Sequence, residues 1–261
     1  MTNKTTFKSL WRFNLIMGCI HCLQGVVMVV LALSIDRISA FKIPVLSNFL
    51  KFDTETMRLV TDTRTLFSVP FAVFVSVFLF LSALAHFIIC APISNDVYNA
   101  SLVKRRNPFR WYEYALSSSL MIVLIALLFG VYDVGSLILM FALNACMNLF
   151  GLLMEQQNQN RMPINWTPFV FGSFAGLVPW GVLCMFAFGN SDLGKVPWFA
   201  YAIFGSYFVF FNLFPINMIL QYKQIGKWRD YLYGERVYII LSLVAKTVLA
   251  WLVFFGVMQP N

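Results

Sequence analysis

RVYIILSLVAKTVLAWLVFFGVM, residues 236–258, reads as an apolar helix long enough to cross a bilayer, with one lysine, Lys246, set deep inside it. At about 1.5 Å of rise per residue such a run covers roughly 30 Å of hydrocarbon. Six further runs of this kind fall near residues 13–34, 65–90, 111–131, 134–155, 167–188 and 197–221. The chain of 261 residues is 60% hydrophobic, 17% aromatic and only 11% charged, too few charges to cover the surface of a water-soluble fold. In lipid every backbone polar group needs an internal partner, and helices supply it. The expected fold is an all-α membrane protein, a single seven-helix domain over residues 1–261.

The third and fourth runs touch at VYDVG, residues 131–135, where Asp133 and Gly135 predict a tight turn, because one unbroken helix there would overshoot the membrane. The first run is not a cleaved signal peptide: Arg12, His21 and Gln24 make it a poor apolar segment, and no small-residue cleavage site follows it. Between the first two spans an outer connection, about residues 35–64, contains FKIPVLSNFLKF (41–52). It suits either a short amphipathic hairpin over the bundle or an irregular interfacial loop. Cys19, Cys22, Cys90, Cys146 and Cys184 fall in or beside apolar runs, where a thiol behaves as a small hydrophobe. The pair in CIHC at 19–22 has no second set of soft ligands at metal-site spacing, so no metal is expected. No Walker, HExxH or GxSxG motif is present, and nothing points to an enzyme.

Charge orients the bundle. Lys4, Lys8, Arg12, Lys104, Arg105, Arg106, Arg110, Arg161, Lys223, Lys227, Arg229 and Arg236 fall on the side of the N-terminus. The other side has Arg37, Lys42, Lys51, Arg58, Arg64 and Lys195, offset by Asp36, Asp53, Glu55, Asp62, Asp133 and Asp192. The positive-inside rule then predicts a cytoplasmic N-terminus and an outer C-terminus, in the plasma membrane. The net charge of +8 needs no nucleic acid; the excess forms a solvated rim beside anionic lipids.

Inside the spans the ionisable residues reduce to His21, His86, Glu113 and Lys246, with Glu113 the one carboxylate available to the lysine. Each is costly in hydrocarbon unless paired or placed on a protein-lined cavity. The residues leave three readings of Lys246 open. It forms a structural ion pair with Glu113, it is an amine that condenses with an aldehyde, or it serves substrate or ion transport. Rings on span six (Phe204, Tyr207, Phe208, Phe210, Phe211, Phe214) and Pro179-Trp180 on span five could together enclose a long planar polyene; taken singly, each ring is better explained by ordinary core or lipid-facing packing.

SLVAK, residues 242–246, resembles the retinal-attachment helix of heliorhodopsins, and RWYEYALSSSLM, residues 110–121, resembles their third helix. The likeness runs over essentially the whole chain and includes one histidine in each of the first two spans. It implies all-trans retinal bound covalently to Lys246 as a Schiff base, Glu113 as its counterion, and His21 and His86 flanking the Schiff-base cavity. It also implies the inverted topology that the charges gave independently, and a homodimer, for which Gly172, Ala175 and Gly176 are small enough to permit close contact. Ser117 and Ser242, each one turn from a member of the pair, can hydrogen-bond the iminium or the carboxylate, or simply their own backbone. Phe208 and Phe211 are the expected polyene contacts.

The function so implied is light sensing. Isomerisation would move the Schiff-base N–H relative to Glu113, and the freed proton would enter a cavity with His21 and His86. The outer half has no spanning carboxylate, its nearest acids being Asp133 and Asp192 in loops, so signalling through the basic cytoplasmic loops is expected rather than pumping. A light-gated proton channel or transporter past Glu155, Asn144 and Asn148 is the alternative, and a non-photochemical carrier the third. Expected partners are membrane lipids, a second copy and a cytoplasmic signalling protein.

Overall fold

Apolar runs become helices here because lipid leaves the backbone no other hydrogen-bond partners, and polar caps or prolines set where several of them begin. The computed structural model describes residues 5–159, 161–189 and 198–258. In chain order it contains α1 (Phe7–Ser34), α2 (Asp36–Ala40), β1 (Lys42–Asp53), β2 (Arg58–Pro70), α3 (Phe71–Cys90), α4 (Pro92–Val103) and α5 (Pro108–Leu128). There follow α6 (Val134–Gln157), α7 (Thr167–Phe188), α8 (Trp198–Tyr222), a 3₁₀ turn at Gly226–Arg229 and α9 (Tyr231–Met258). Among the described residues seven helices, α1, α3 and α5 to α9, are long and apolar enough to cross a membrane. Lys4, Asp192 and Lys195 lie outside the described residues.

The caps explain the starts. Thr6 and Ser9 form a capping box at α1, and Asn107 accepts from the Arg110 amide at 3.2 Å ahead of Pro108, which has no N–H to satisfy. At the VYDVG turn, α5 ends at Leu128 and the Asp133 carboxylate caps α6 by accepting from the Ser136 amide at 2.8 Å. The expected break between spans three and four is there.

The connection between the first two spans is the hairpin. β1 and β2 pair antiparallel from Lys42↔Pro70 to Asp53↔Arg58, with a register shift between Val45 and Leu46. The run expected at 65–90 therefore splits, residues 65–70 belonging to β2 and α3 starting only at Phe71. The Leu46 amide donates to the Tyr132 carbonyl at 2.8 Å, which ties the hairpin base to the α5–α6 turn, and Ile43, Val45 and Val69 are buried there. At the tip, the Thr56 hydroxyl and the Glu55 amide donate to Asp53 and hold its carboxyl below the usual range.

The core is divided by height. The half nearer the hairpin holds a large apolar cluster that includes Phe71, Phe78 and Leu79 of α3, Ile122 and Ile125 of α5, and Leu249 and Phe254 of α9. Dispersion between tightly packed groups holds such a core, since lipid is as apolar as the protein interior. Two smaller clusters lie toward α4, one of them around Trp111, Tyr114 and Tyr238. Gly172 and Gly176 face α6 of the same chain: an added Cβ would lie 3.0 Å from Phe150 Cβ and 2.5 Å from Met147 Sδ, respectively. The smallness of these two glycines closes the α6–α7 contact within the chain.

Candidate functional site

Lys246, 3% exposed, sits mid-way along α9. Its Nζ donates to Glu113 Oε1 at 2.6 Å, to Ser82 Oγ at 2.6 Å and to Ser242 Oγ at 3.0 Å. Three acceptors match the three N–H bonds of an ammonium. Nζ also lies 5.3 Å from the centre of the Tyr114 ring, a cation–π distance. Ser82 Oγ is 2.7 Å from Glu113 Oε1 and 3.0 Å from the Phe78 carbonyl. Sequence reading missed Ser82, although it stands one turn before His86 on the same face of α3, a signal that was available. Ser117 is fully buried one turn beyond Glu113, but its hydroxyl makes no well-aligned hydrogen bond among the described residues, so of the two expected serines only Ser242 touches the amine.

On the other side of the amine lies a cavity of about 270 Å³ whose wall includes Lys246 and Ser242. Tyr207, Phe208, Phe210, Phe211 and Phe214 of α8 line it with Trp111, Tyr114 and Trp180. Trp180 organises this wall, its ring centre standing 5.5 Å from Tyr207, 5.1 Å from Phe208 and 5.5 Å from Phe211. Phe204 does not line the cavity; it backs Trp180 and packs on Phe129. Phe208 is half-exposed on the bundle surface, whereas Phe211 is more enclosed.

The two histidines stack, with ring centres 5.7 Å apart and planes 13° from parallel. Gly18 allows it: a Cβ there would come within 3.0 Å of His86 Cβ. His86 Nδ1 meets Asn14 Oδ1 at 2.8 Å, and the Asn14 amide nitrogen donates to the Leu10 carbonyl. That fixes the amide, so Nδ1 carries the proton and Nε2 is the accepting atom. His21 is fully buried behind it, and neither of its ring nitrogens has a hydrogen-bond partner among the described residues. His86, Glu113, Ser82 and Ser242 share a small cavity of about 30 Å³ on the α4 side of the amine.

A buried lysine with a carboxylate partner, next to an aromatic cavity in a seven-helix bundle, is the arrangement the resemblance implies, and residues 10–258 match the heliorhodopsin family model. The chain belongs to the heliorhodopsin family. Comparison with curated proteins gives no match. Membership supports a retinal-binding photoreceptor role in general terms and is consistent with a protein that is not an enzyme.

The heliorhodopsin cavity fits that group on its own chemistry: one primary amine at the wall, apolar and aromatic lining, and a volume near the roughly 300 Å³ at which small-molecule pockets begin. The residues that would hold retinal are Lys246 at one end and Trp180, Tyr207 and Phe211 along the wall.

Two sequence expectations need correction. Glu113 is not the one spanning carboxylate: Glu155 of α6 and Glu235 of α9 are both buried, and both pair with Arg110 of α5. Arg110 is accordingly no part of a solvated rim. The sequence hid this because α9 starts at Tyr231 and α5 at Pro108, both earlier than hydropathy suggests, so residues assigned to loops lie inside helices. Asn144 and Asn148 donate to Ser118 Oγ at 2.8 and 3.0 Å, and Asn144 also to Ser119 Oγ at 3.0 Å. These amides tie α6 to α5, the packing role that competed with a conduction path.

Proposed function

We propose that this heliorhodopsin is a light sensor carrying all-trans retinal on Lys246, with Glu113 as counterion, and that it signals rather than pumps. Bound there, retinal supplies a covalent iminium link to Nζ and a light-driven change of shape. The observation that carries the reading is the placement of Nζ between the aromatic cavity and the Glu113 carboxylate, 2.6 Å away. Glu113 balances the positive charge at Nζ, and Ser82 and Ser242 fix its direction. Displacing Nζ from Glu113 weakens what keeps its proton in place. The Glu113 carboxylate and His86 Nε2 are the atoms on that side that can take the proton.

Among the described residues, the buried ionisable groups lie level with Lys246 or on its α4 side, while the hairpin side is filled by the large apolar cluster. That one-sidedness favours proton movement within the protein over transfer across it. The charge distribution favours a cytoplasmic α4 face and N-terminus, an outer hairpin and a cytoplasmic partner; assembly as a homodimer rests on the likeness to heliorhodopsins alone. The deciding experiment adds all-trans retinal to membranes containing the protein and records a visible spectrum. A folded protein that stays colourless overturns the reading; a glycan on Asn99, the acceptor of the sequon Asn99-Ala100-Ser101, in a glycosylating host overturns the orientation.

A further inference from the structure

Arg110 lies buried between two carboxylates, Glu155 and Glu235, themselves 3% and 1% exposed. One guanidinium against two carboxylates leaves an uncompensated negative charge in a low-dielectric site, an arrangement that a bound proton relieves. Among the described residues the other groups that face the pair are Tyr98 of α4, Asn107, Trp111 and Tyr114 of α5, Tyr222 of α8, and Tyr231 and Tyr238 of α9. None of them is a cation or an acid at neutral pH.

The donors tell the two carboxyls apart. Glu155 accepts from the Asn107 amide at 2.8 Å, Trp111 Nε1 at 2.7 Å, the Tyr231 hydroxyl at 3.2 Å and Arg110. Both of its oxygens are saturated as acceptors, which suits an ionised carboxylate. Glu235 accepts from Asn107 Nδ2 at 2.6 Å and from Arg110, and its remaining neighbour is the Tyr98 hydroxyl at 3.5 Å, an oxygen that can equally accept. Glu235 also lines the small cavity shared by Asn14, His86 and Glu113.

We infer that Glu235 is a protonated carboxylic acid in the resting protein and the group through which the Lys246–Glu113 cavity exchanges protons with the α4 face. A proton arriving from the cavity binds one carboxyl oxygen as the resident proton passes from the other to the Tyr98 oxygen, which releases its own hydroxyl proton toward the α4 face, so at each group one O–H bond forms and one breaks. The exchange role rests on the proposed retinal linkage; the resting proton does not.

The test is infrared spectroscopy of the purified full chain, with and without retinal, following the deuterium-sensitive C=O stretch of a protonated carboxylic acid. That band is expected in the wild type and in Glu113→Gln, and is expected to vanish in Glu235→Gln, a neutral isostere that leaves the Arg110–Glu155 pair in place. It should also vanish in Glu155→Gln, where Glu235 becomes the only anion for Arg110. Tyr98→Phe and Tyr231→Phe assign the band, because Tyr98 borders Glu235 and Tyr231 borders Glu155: the first should shift it and the second should leave it in place. No band in the wild type, a band that survives both glutamine substitutions, or one that moves with Tyr231→Phe and not with Tyr98→Phe, overturns the inference. In the retinal-bound protein, illumination should shift or bleach the same band. A coloured protein whose light-minus-dark spectrum lacks it would make Glu235 a static acid and overturn the exchange role. A colourless protein instead defeats the retinal reading and the exchange role with it, while the dark measurement still decides the resting proton.

Discussion

Lys246 Nζ and Glu113 Oε1 lie 2.6 Å apart although 133 positions separate the two residues in the chain. The pair joins α9 to α5 within the membrane and, with Ser82, brings in α3. Removing one partner leaves a buried charge without compensation, which in comparable pairs costs about 3–5 kcal/mol.

Lys246→Ala should therefore do two things. It should abolish the visible band formed with retinal, and it should lower the melting temperature, because Glu113 is left alone. Adding Glu113→Gln should recover part of that loss. A full-strength band in the alanine variant without added amine would refute attachment at Lys246.

Glu113→Gln by itself keeps size and hydrogen bonding but removes the anion. If Glu113 is the counterion, the coloured form should be lost at lower pH than in the wild type, and what remains should absorb at longer wavelength, since a nearby anion localises the positive charge at nitrogen. A spectroscopic pH titration at low halide checks this, and superimposable curves would send the search to another anion.

Ser82→Ala should leave a coloured protein with a shifted band and a stability loss of about 1.5–3 kcal/mol, the range for hydrogen bonds to charged groups. Ser82 reaches both members of the pair, whereas Ser242 reaches only the amine, at 3.0 Å. The spectral shift should accordingly be larger for Ser82→Ala than for Ser242→Ala, and equal shifts would count against the ranking.

His86→Phe and His21→Phe should keep colour, because neither ring touches Nζ by hydrogen bond, but should change the kinetics of light-driven proton movement seen with a pH-sensitive dye. His86→Phe should have the larger effect, since His86 lines the cavity next to Glu113 and His21 does not. Loss of all colour in a well-folded His86→Phe protein would mean that the ring supports the ground state.

Gly151→Ala probes the Arg110 node mechanically. A Cβ at Gly151 would come within 2.3 Å of the Trp111 ring, whose Nε1 donates to Glu155 at 2.7 Å. An aromatic ring held by a hydrogen bond has little freedom to shift, so destabilisation of about 1–3 kcal/mol is expected, the usual range for overpacking. A melting curve identical to that of the wild type would show that Trp111 moves freely.

The sequence by itself determined the seven spans, the turn at Asp133, and the candidates Lys246, Glu113, His21 and His86, because hydropathy acts over whole windows and a charge inside an apolar run has few explanations. Family membership bears out the resemblance carried by SLVAK and RWYEYALSSSLM. The tertiary structure alone decided which groups meet. Ser82 shares a helix face with His86 in the sequence, yet only α3 laid against α9 shows that it meets Lys246, and Glu235 and Arg110 look like loop charges until the helices are seen to start before them. The small residues of α7 also gave no sign of which helix they would face. Windowed hydropathy averages along one strand of sequence, whereas pairing across 125 to 164 positions depends on how helices rotate and stack, so it is settled by packing.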